Sequence, residues 1–223
     1  VKITVAIPVG PEPHHQQYLG ECLDSVRQQT LPPAEVLIID DMAGLPAGLD
    51  RTNGYSMRTY RSPWHLGVAQ AFNFGVALAE NDAVFMLGAD DRLFPQCLER
   101  CAAAYEARGG ADLWYSVGVQ YSDGRPDQYA PCNAAMVTKA FWRKTGGFAP
   151  ETGSGAPDAA MLSALMVHDS QAIVSVDRDR PLYWYRVHEM TDTAQRGPWQ
   201  GVILQTRDLL TARWHQPRWG RLS

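Results

Sequence analysis

Two pairs of adjacent carboxylates, Asp40-Asp41 and Asp90-Asp91, each follow a short apolar run. Neighbouring carboxylates repel one another, and the arrangement is easiest to keep when a cation compensates. Their oxygens suit a hard ion such as Mg²⁺ or Mn²⁺, and phosphates can fill its remaining positions. Acids at such places also cap the helix or turn that follows. For Asp40-Asp41 the two readings balance; for Asp90-Asp91 the cation outweighs the cap. Cys97 and Cys101, four apart on a helical stretch, would share a face as metal ligands, but no second pair accompanies them and they read as buried thiols. His14-His15 read as solvated loop residues. Trp114, Tyr115, Trp142, Trp184 and Tyr185 fit core positions better than a platform for an acceptor sugar.

The elements that must position these acids follow from apolar periodicity. Ile3 to Pro8 is a strand buried on both faces, Val36 to Ile39 a second ending at Asp40-Asp41, and Ala83 to Leu87 a third ending at Gly88-Ala89-Asp90-Asp91. Between them Leu19, Cys22, Leu23 and Val26 recur at helical spacing up to Pro32-Pro33, as do Val68, Phe72, Val76 and Ala79. Pro95 opens a third helix with Leu98, Cys101, Ala102 and Tyr105 inward. This alternation predicts an α/β fold with parallel strands, and both acid pairs fall where open α/β sheets hold ligands. Further strands are expected at Trp114 to Tyr121, Ile173 to Asp177 and Leu182 to His188. Helices are expected at Thr138 to Lys144, Asp158 to His168 and Gly201 to Trp214. Loops rich in Gly, Pro and polar residues cover Ala43 to Asn53, Ser122 to Ala130 and Phe148 to Pro157.

The 223 residues suit one domain with a full core, and a composition of 45% hydrophobic and 20% charged residues excludes disorder. A net charge of −4 gives no reason to expect nucleic acid as a partner. Four cysteines without paired spacing fit a reducing, cytoplasmic setting. No apolar run reaches about 18 residues, so no transmembrane segment is expected. VKITVAIPV reads as a strand and not as a signal peptide. The stretch 196–223 carries five arginines against one acid, Asp208, together with Trp199, Trp214 and Trp219. A helix folded back on the domain accounts for it, with peripheral contact to an anionic membrane as the alternative.

The runs VAIPV, YLGECLDSVRQQTLPPAEVLIIDD and HLGVAQAFNFGVALAENDAVFMLGADDRLFP resemble the nucleotide-binding half of GT-A glycosyltransferases of family 2. The likeness continues through AAMVTKAFWRKTGGF, Asp158 and YRVH, and covers about residues 2–190 in order. A Rossmann dehydrogenase or P-loop enzyme would need a Gly-rich fingerprint after the first strand, and Gly10-Pro11-Glu12-Pro13 provides neither. The resemblance implies a single GT-A domain, with a Rossmann-like, mostly parallel central sheet flanked by helices and a smaller acceptor-side sheet region. Residues 1–95 would be the nucleotide-sugar half, 96–195 the acceptor side, and 196–223 a C-terminal helix or tail. It further implies that Pro8 and Val9 flank the nucleobase. Asp41, with Asp40, would accept a hydrogen bond from a base imide, which suits uracil or thymine, with a UDP-sugar favoured. Asn73 would belong to the donor-side helix. Asp90, supported by Asp91, would be the metal-binding acid of a DxD-like motif, with His188 approaching the metal or diphosphate. Asp158 would be the catalytic base. Four departures stand out: the leading acid of DxD is Gly88, an Arg before Asn73 is Phe72, a preceding Asn is His65, and the acidic neighbour of Asp158 is Pro157.

The implied activity is metal-dependent transfer of a sugar from a nucleoside diphosphate to an acceptor hydroxyl. Mn²⁺ or Mg²⁺ would offset charge growing on the departing phosphate, and Asp158 would take the hydroxyl proton, assistance worth roughly 10²–10⁴-fold. Direct displacement predicts inversion at the anomeric carbon. Saccharide, lipid-linked glycan and protein acceptors all remain open. Gly88 and Pro157 motivate a second reading, a catalytically degenerate nucleotide-sugar-binding or partner-binding domain. A nucleotidyltransferase would carry a Gly-rich basic loop after the first strand, which is absent.

Overall fold

The computed structural model describes residues 1–47, 55–124, 134–149 and 157–188. The helix expected at Gly201 to Trp214, the basic stretch 196–223 and Cys132 lie outside the described residues. The described residues form eight strands: β1 (Ile3–Val9), β2 (Glu35–Asp40), β3 (Ser56–Arg61), β4 (Ala83–Met86), β5 (Arg92–Leu93), β6 (Trp114–Tyr121), β7 (Ala135–Thr138) and β8 (Ile173–Tyr185). The helices are α1 (Pro13–Arg27), α2 (Gly67–Leu78), α3 (Cys97–Ala107), α4 (Lys139–Thr145) and α5 (Pro157–His168).

All eight described strands join one mixed sheet in the order β3-β2-β1-β4-β7-β6-β8-β5. The first four in that order run parallel, with β1 between β2 and β4. β7 pairs antiparallel to both β4 and β6, and β8 runs parallel to β6. Strand alternation sorts the core into two layers. Ile3, Val5, Ile7 and Val9 of β1, with Phe85 of β4, pack with α1 and α3. Ala6, Val84 and Met86 face the other way, toward Phe72 and Val76 of α2, Phe141 of α4 and Met161 of α5. Helices thus cover both faces of the sheet, as the sequence pattern requires.

Three strands escape the periodicity argument. β3 buries only Met57 among SMRTYR, because it is an edge strand with little apolar patterning to read. β5 has two residues. β7 is short and runs directly into α4, whose first turn is capped by Thr138, its hydroxyl accepting from Phe141 N at 3.1 Å. The two strands expected at 173–177 and 182–188 are one, β8. Val117 pairs with Val176 but Gly118 with Pro181, so the break read in the sequence is a register shift and not a reversal. β8 also ends at Tyr185, and residues 186–188 leave the ladder to cross the end of β4.

Candidate functional site

Because β1, β2 and β4 are parallel neighbours, Val9, Asp40 and Met86 finish on the same edge of the sheet. The turn Gly88–Asp91 follows β4 there, closed by Asp91 N donating to Gly88 O at 3.2 Å. Open α/β sheets place ligands at such an edge.

Within the turn the two acids have separate jobs. Asp91 is 2% exposed and turned inward. Its Oδ2 accepts from the Tyr183 hydroxyl at 2.6 Å, and its Oδ1 from Arg186 N at 2.8 Å. The Tyr183 oxygen in turn accepts from Gly88 N at 3.1 Å. Burial, and after it the charge of Asp90, pushes the Asp91 carboxyl well above its ordinary range, while the Tyr183 and Arg186 donors pull it back. Asp90 keeps its carboxylate on the outer side, 15% exposed, with Oδ2 at 3.1 Å from His188 Nε2. Arg186 fastens the crossing segment by a second bond, Nε to Asp90 O at 2.9 Å, and reaches Glu21 Oε2 at 2.7 Å. A Cβ at Gly88 would lie 2.6 Å from Asp91 Oδ2 and 3.2 Å from Asp90 Oδ1, so a side chain there would require the Asp91 carboxylate to shift from its bond to Tyr183.

His14 and His15, read from sequence as solvated loop residues, belong to this cluster. They occupy the first turn of α1, and one ligand atom from each lies within 4.8 Å of the others and of an Asp90 oxygen. The His14 ring stands 4.2 Å from that of His15 and 4.7 Å from that of His188, centroid to centroid. His14 Nδ1 is shut off from solvent and has no hydrogen-bond partner among the described residues. Burial, then His15, holds the His14 imidazole below its ordinary pKa, with Asp90 pulling the other way. One signal was available in the sequence: α1 begins a few residues after β1 ends, so its first turn must lie on the edge where β4 ends. A divalent ion fits this donor set, since a carboxylate and imidazoles converge and one nitrogen lacks a partner.

Several other residues singled out by sequence have hydrogen-bond partners within the protein. Asp40 accepts from Gly44 N and Leu45 N, both at 3.1 Å, and meets Arg61 Nη1 at 3.3 Å. Asp41 is 2% exposed. Its two oxygens take Leu66 N at 2.5 Å and Gly67 N at 2.9 Å, and His65 Nδ1 lies 3.1 Å away. It thereby caps α2, which has no side-chain cap of its own. Asn73 is saturated. It donates to Phe148 O at 2.9 Å and Gln70 Oε1 at 3.2 Å, and accepts from Phe148 N at 2.9 Å and Trp142 Nε1 at 3.1 Å. Gly147, at φ 71°, lets the chain pass: a Cβ there would lie 2.5 Å from Asn73 Oδ1. The Val9 side chain is wholly buried and its carbonyl accepts from Asp41 N at 2.9 Å, whereas Pro8 is partly exposed.

Asp158 is held from another layer. It sits in the first turn of α5, with Oδ1 accepting from Ala159 N at 2.8 Å, and α5 packs through Met161 and Leu165 into the core it shares with α2. The aromatic residues divide as expected for core: Trp114 and Tyr115 are fully buried. Trp184 carries the Arg92 guanidinium at 3.7 Å and that of Arg186 at 4.8 Å, and Arg186 also covers Tyr18 at 3.8 Å. A cavity of about 500 Å³ between α1 and β5, bordered by Glu21, Arg92 and Trp184, does not include Asp90, Asp91 or His188. The convergent acids and imidazoles locate the site better than that cavity. Among the described residues no helix is long and apolar enough to cross a membrane.

The fold and this site can be set beside known proteins. No curated protein sequence matches the chain. Among solved structures, S. aureus TarS 1-349 in complex with UDP superposes with a TM-score of 0.67 at 16% identity, covering 96% of this chain and 70% of that one. The same protein in complex with UDP-GlcNAc gives 0.67 at 14%, covering 96% and 71%. The longer S. aureus TarS chain gives 0.69 at 16%, and there the present chain covers 43% of its neighbour. At these identities the likeness establishes the GT-A fold. A family profile, Glycosyl transferase family 2, matches residues 4–166, which include the strand-end edge with both acid pairs, His14 and His15. The chain belongs to glycosyl transferase family 2.

Proposed function

We propose that the protein transfers a sugar from a UDP-sugar to an acceptor hydroxyl, with inversion, using a divalent cation at Asp90. The observation that carries this reading is the meeting of Asp90 and His188 at 3.1 Å on the sheet edge where α/β folds bind ligands. Family membership and the likeness to a fold seen with UDP and UDP-GlcNAc support it.

Asp90 and His188 would hold Mn²⁺ or Mg²⁺, with Asp91 bracing the turn from behind. When bound, that ion supplies positive charge to the donor diphosphate as its bond to the sugar breaks. Asp41 orders the start of α2 beside the first two strand ends, where Pro8 and the Val9 backbone would meet the base. An aspartate at a helix head, Asp158, would accept the proton of the attacking hydroxyl. Residues 1–95 would then form the donor half and 96–195 the acceptor side of one domain.

Release of UDP from UDP-sugars in the presence of Mn²⁺ tests this. Asp158→Asn is expected to lose roughly 10²–10⁴-fold in kcat with donor binding retained. Asp90→Ala is expected to abolish the Mn²⁺ dependence of UDP binding. Equal UDP affinity in Asp90→Ala and wild type, with and without Mn²⁺, would remove the basis of the proposal. Gly88 and Pro157, where the family has acids, favour one alternative, a degenerate nucleotide-sugar-binding or partner-binding domain, which predicts tight UDP binding and no release from any donor.

A further inference from the structure

Resting on that reading of Asp90, we propose that His14 and His15 are ligands of the same cation, making an imidazole-rich centre that prefers a transition-metal ion to Mg²⁺. Each gives a ligand atom within 4.8 Å of the other's and of an Asp90 oxygen, a spread that one ion can span with small side-chain adjustments. His188 adjoins the group, 3.1 Å from Asp90 and with its ring 4.7 Å from that of His14. Three potential ligands thus come from two separate stretches, the first turn of α1 and the turn after β4, with His188 of the segment leaving β8 beside them.

The wiring of the two histidines supports a ligand role. His14 Nδ1 is buried without a hydrogen bond among the described residues, an arrangement that costs free energy unless something occupies it. His15 Nδ1 lies 3.2 Å from both Gly10 N and Glu12 Oε2, and one nitrogen cannot serve a donor and an acceptor together. With a cation on Nε2, His15 Nδ1 would carry the proton and donate to Glu12, giving up the bond it otherwise accepts from Gly10 N. That is the carboxylate–imidazole pairing which orients metal-bound histidines. Imidazole donors favour Zn²⁺, Co²⁺ or Ni²⁺ over Mg²⁺, which takes oxygen and keeps its waters. Asp90 alone would offer the chemistry of a Mg²⁺ site; two or three imidazoles beside it would not.

Co²⁺ is a suitable probe, because its visible absorption reports nitrogen ligands directly. Titration of the metal-free protein without nucleotide should show Co²⁺ binding well ahead of Mg²⁺. The double variant His14→Ala/His15→Ala should lose Co²⁺ affinity by about 10-fold or more and shift the absorption band, while its Mg²⁺ affinity changes little. Melting in EDTA, together with His14→Gln/His15→Gln, separates loss of ligands from loss of fold, since the glutamine pair should also lose the band with an unchanged melt. Unchanged Co²⁺ affinity and spectrum in both double variants, with loss in Asp90→Asn, would overturn the histidine assignment and leave the Asp90 site standing. No loss in Asp90→Asn either, with UDP present, would overturn the Asp90 reading itself.

Discussion

Adjacent acids in one turn have opposite environments, and the reason lies in a few ångströms. Asp91 points back at Tyr183 and Arg186 N, while Asp90 points out at His188. The same inward carboxylate lies 2.6 Å from where a Cβ at position 88 would stand. Restoring an acid there therefore should not restore a fuller DxD motif. Gly88→Asp is expected to lower stability by about 1–3 kcal/mol through overpacking, with a third carboxylate added to an already repulsive pair. Thermal melting and UDP titration check it. Tighter Mn²⁺–UDP binding at an unchanged melting temperature would contradict the crowding argument.

At the scale of elements, two sequence-distant contacts hold α2 to the rest of the site. Asp41 caps its start from the end of β2, and Asn73 ties its middle to the chain around Phe148. Asp41→Ala leaves two backbone N–H groups without their acceptor and is expected to cost about 1–2 kcal/mol. Asn73→Leu deprives Phe148 N, Phe148 O and Trp142 Nε1 together and is expected to cost about 3 kcal/mol. Urea unfolding of both variants measures these losses. If Asp41 also binds the base, Asp41→Ala should weaken UDP beyond any change seen in Asn73→Leu, and equal UDP affinities would assign Asp41 to capping alone. Arg186 acts at the same scale, fastening the segment that carries His188 to the Asp90 carbonyl and to Glu21.

Across the whole molecule, the two ends of β2 show how one sheet separates structure from function. Glu35 opens the strand, fully buried, and takes the Thr4 hydroxyl at 2.7 Å, Glu80 N at 2.8 Å and the Arg58 guanidinium. Asp40 closes it, about 17 Å away at the usual rise per residue. Glu35→Ala is expected to cost about 2–4 kcal/mol in unfolding while leaving Mn²⁺ and UDP affinity intact, because it lies on the opposite edge. A large loss of ligand affinity in a folded Glu35→Ala would argue against that separation. The alternation of β1, α1, β2, α2 and β4 was legible in the sequence because each element carries its own apolar period. So was the placing of both acid pairs at strand ends, since a buried run has to stop where its acids begin. What the period could not carry was long-range partnership. Edge strand β3 and the brief β5 and β7 bury too little to leave a pattern. The roles of Asp41, Asn73 and Asp91 depend on donors brought from Leu66, Phe148, Trp142, Tyr183 and Arg186. His14, His15 and His188 come from opposite ends of the described chain, and only the curl of the sheet and the path of β8 bring their rings together. Local sequence thus determined the frame and the edge. The tertiary structure decided which polar groups on that edge are already used by the protein and which are left to face a ligand.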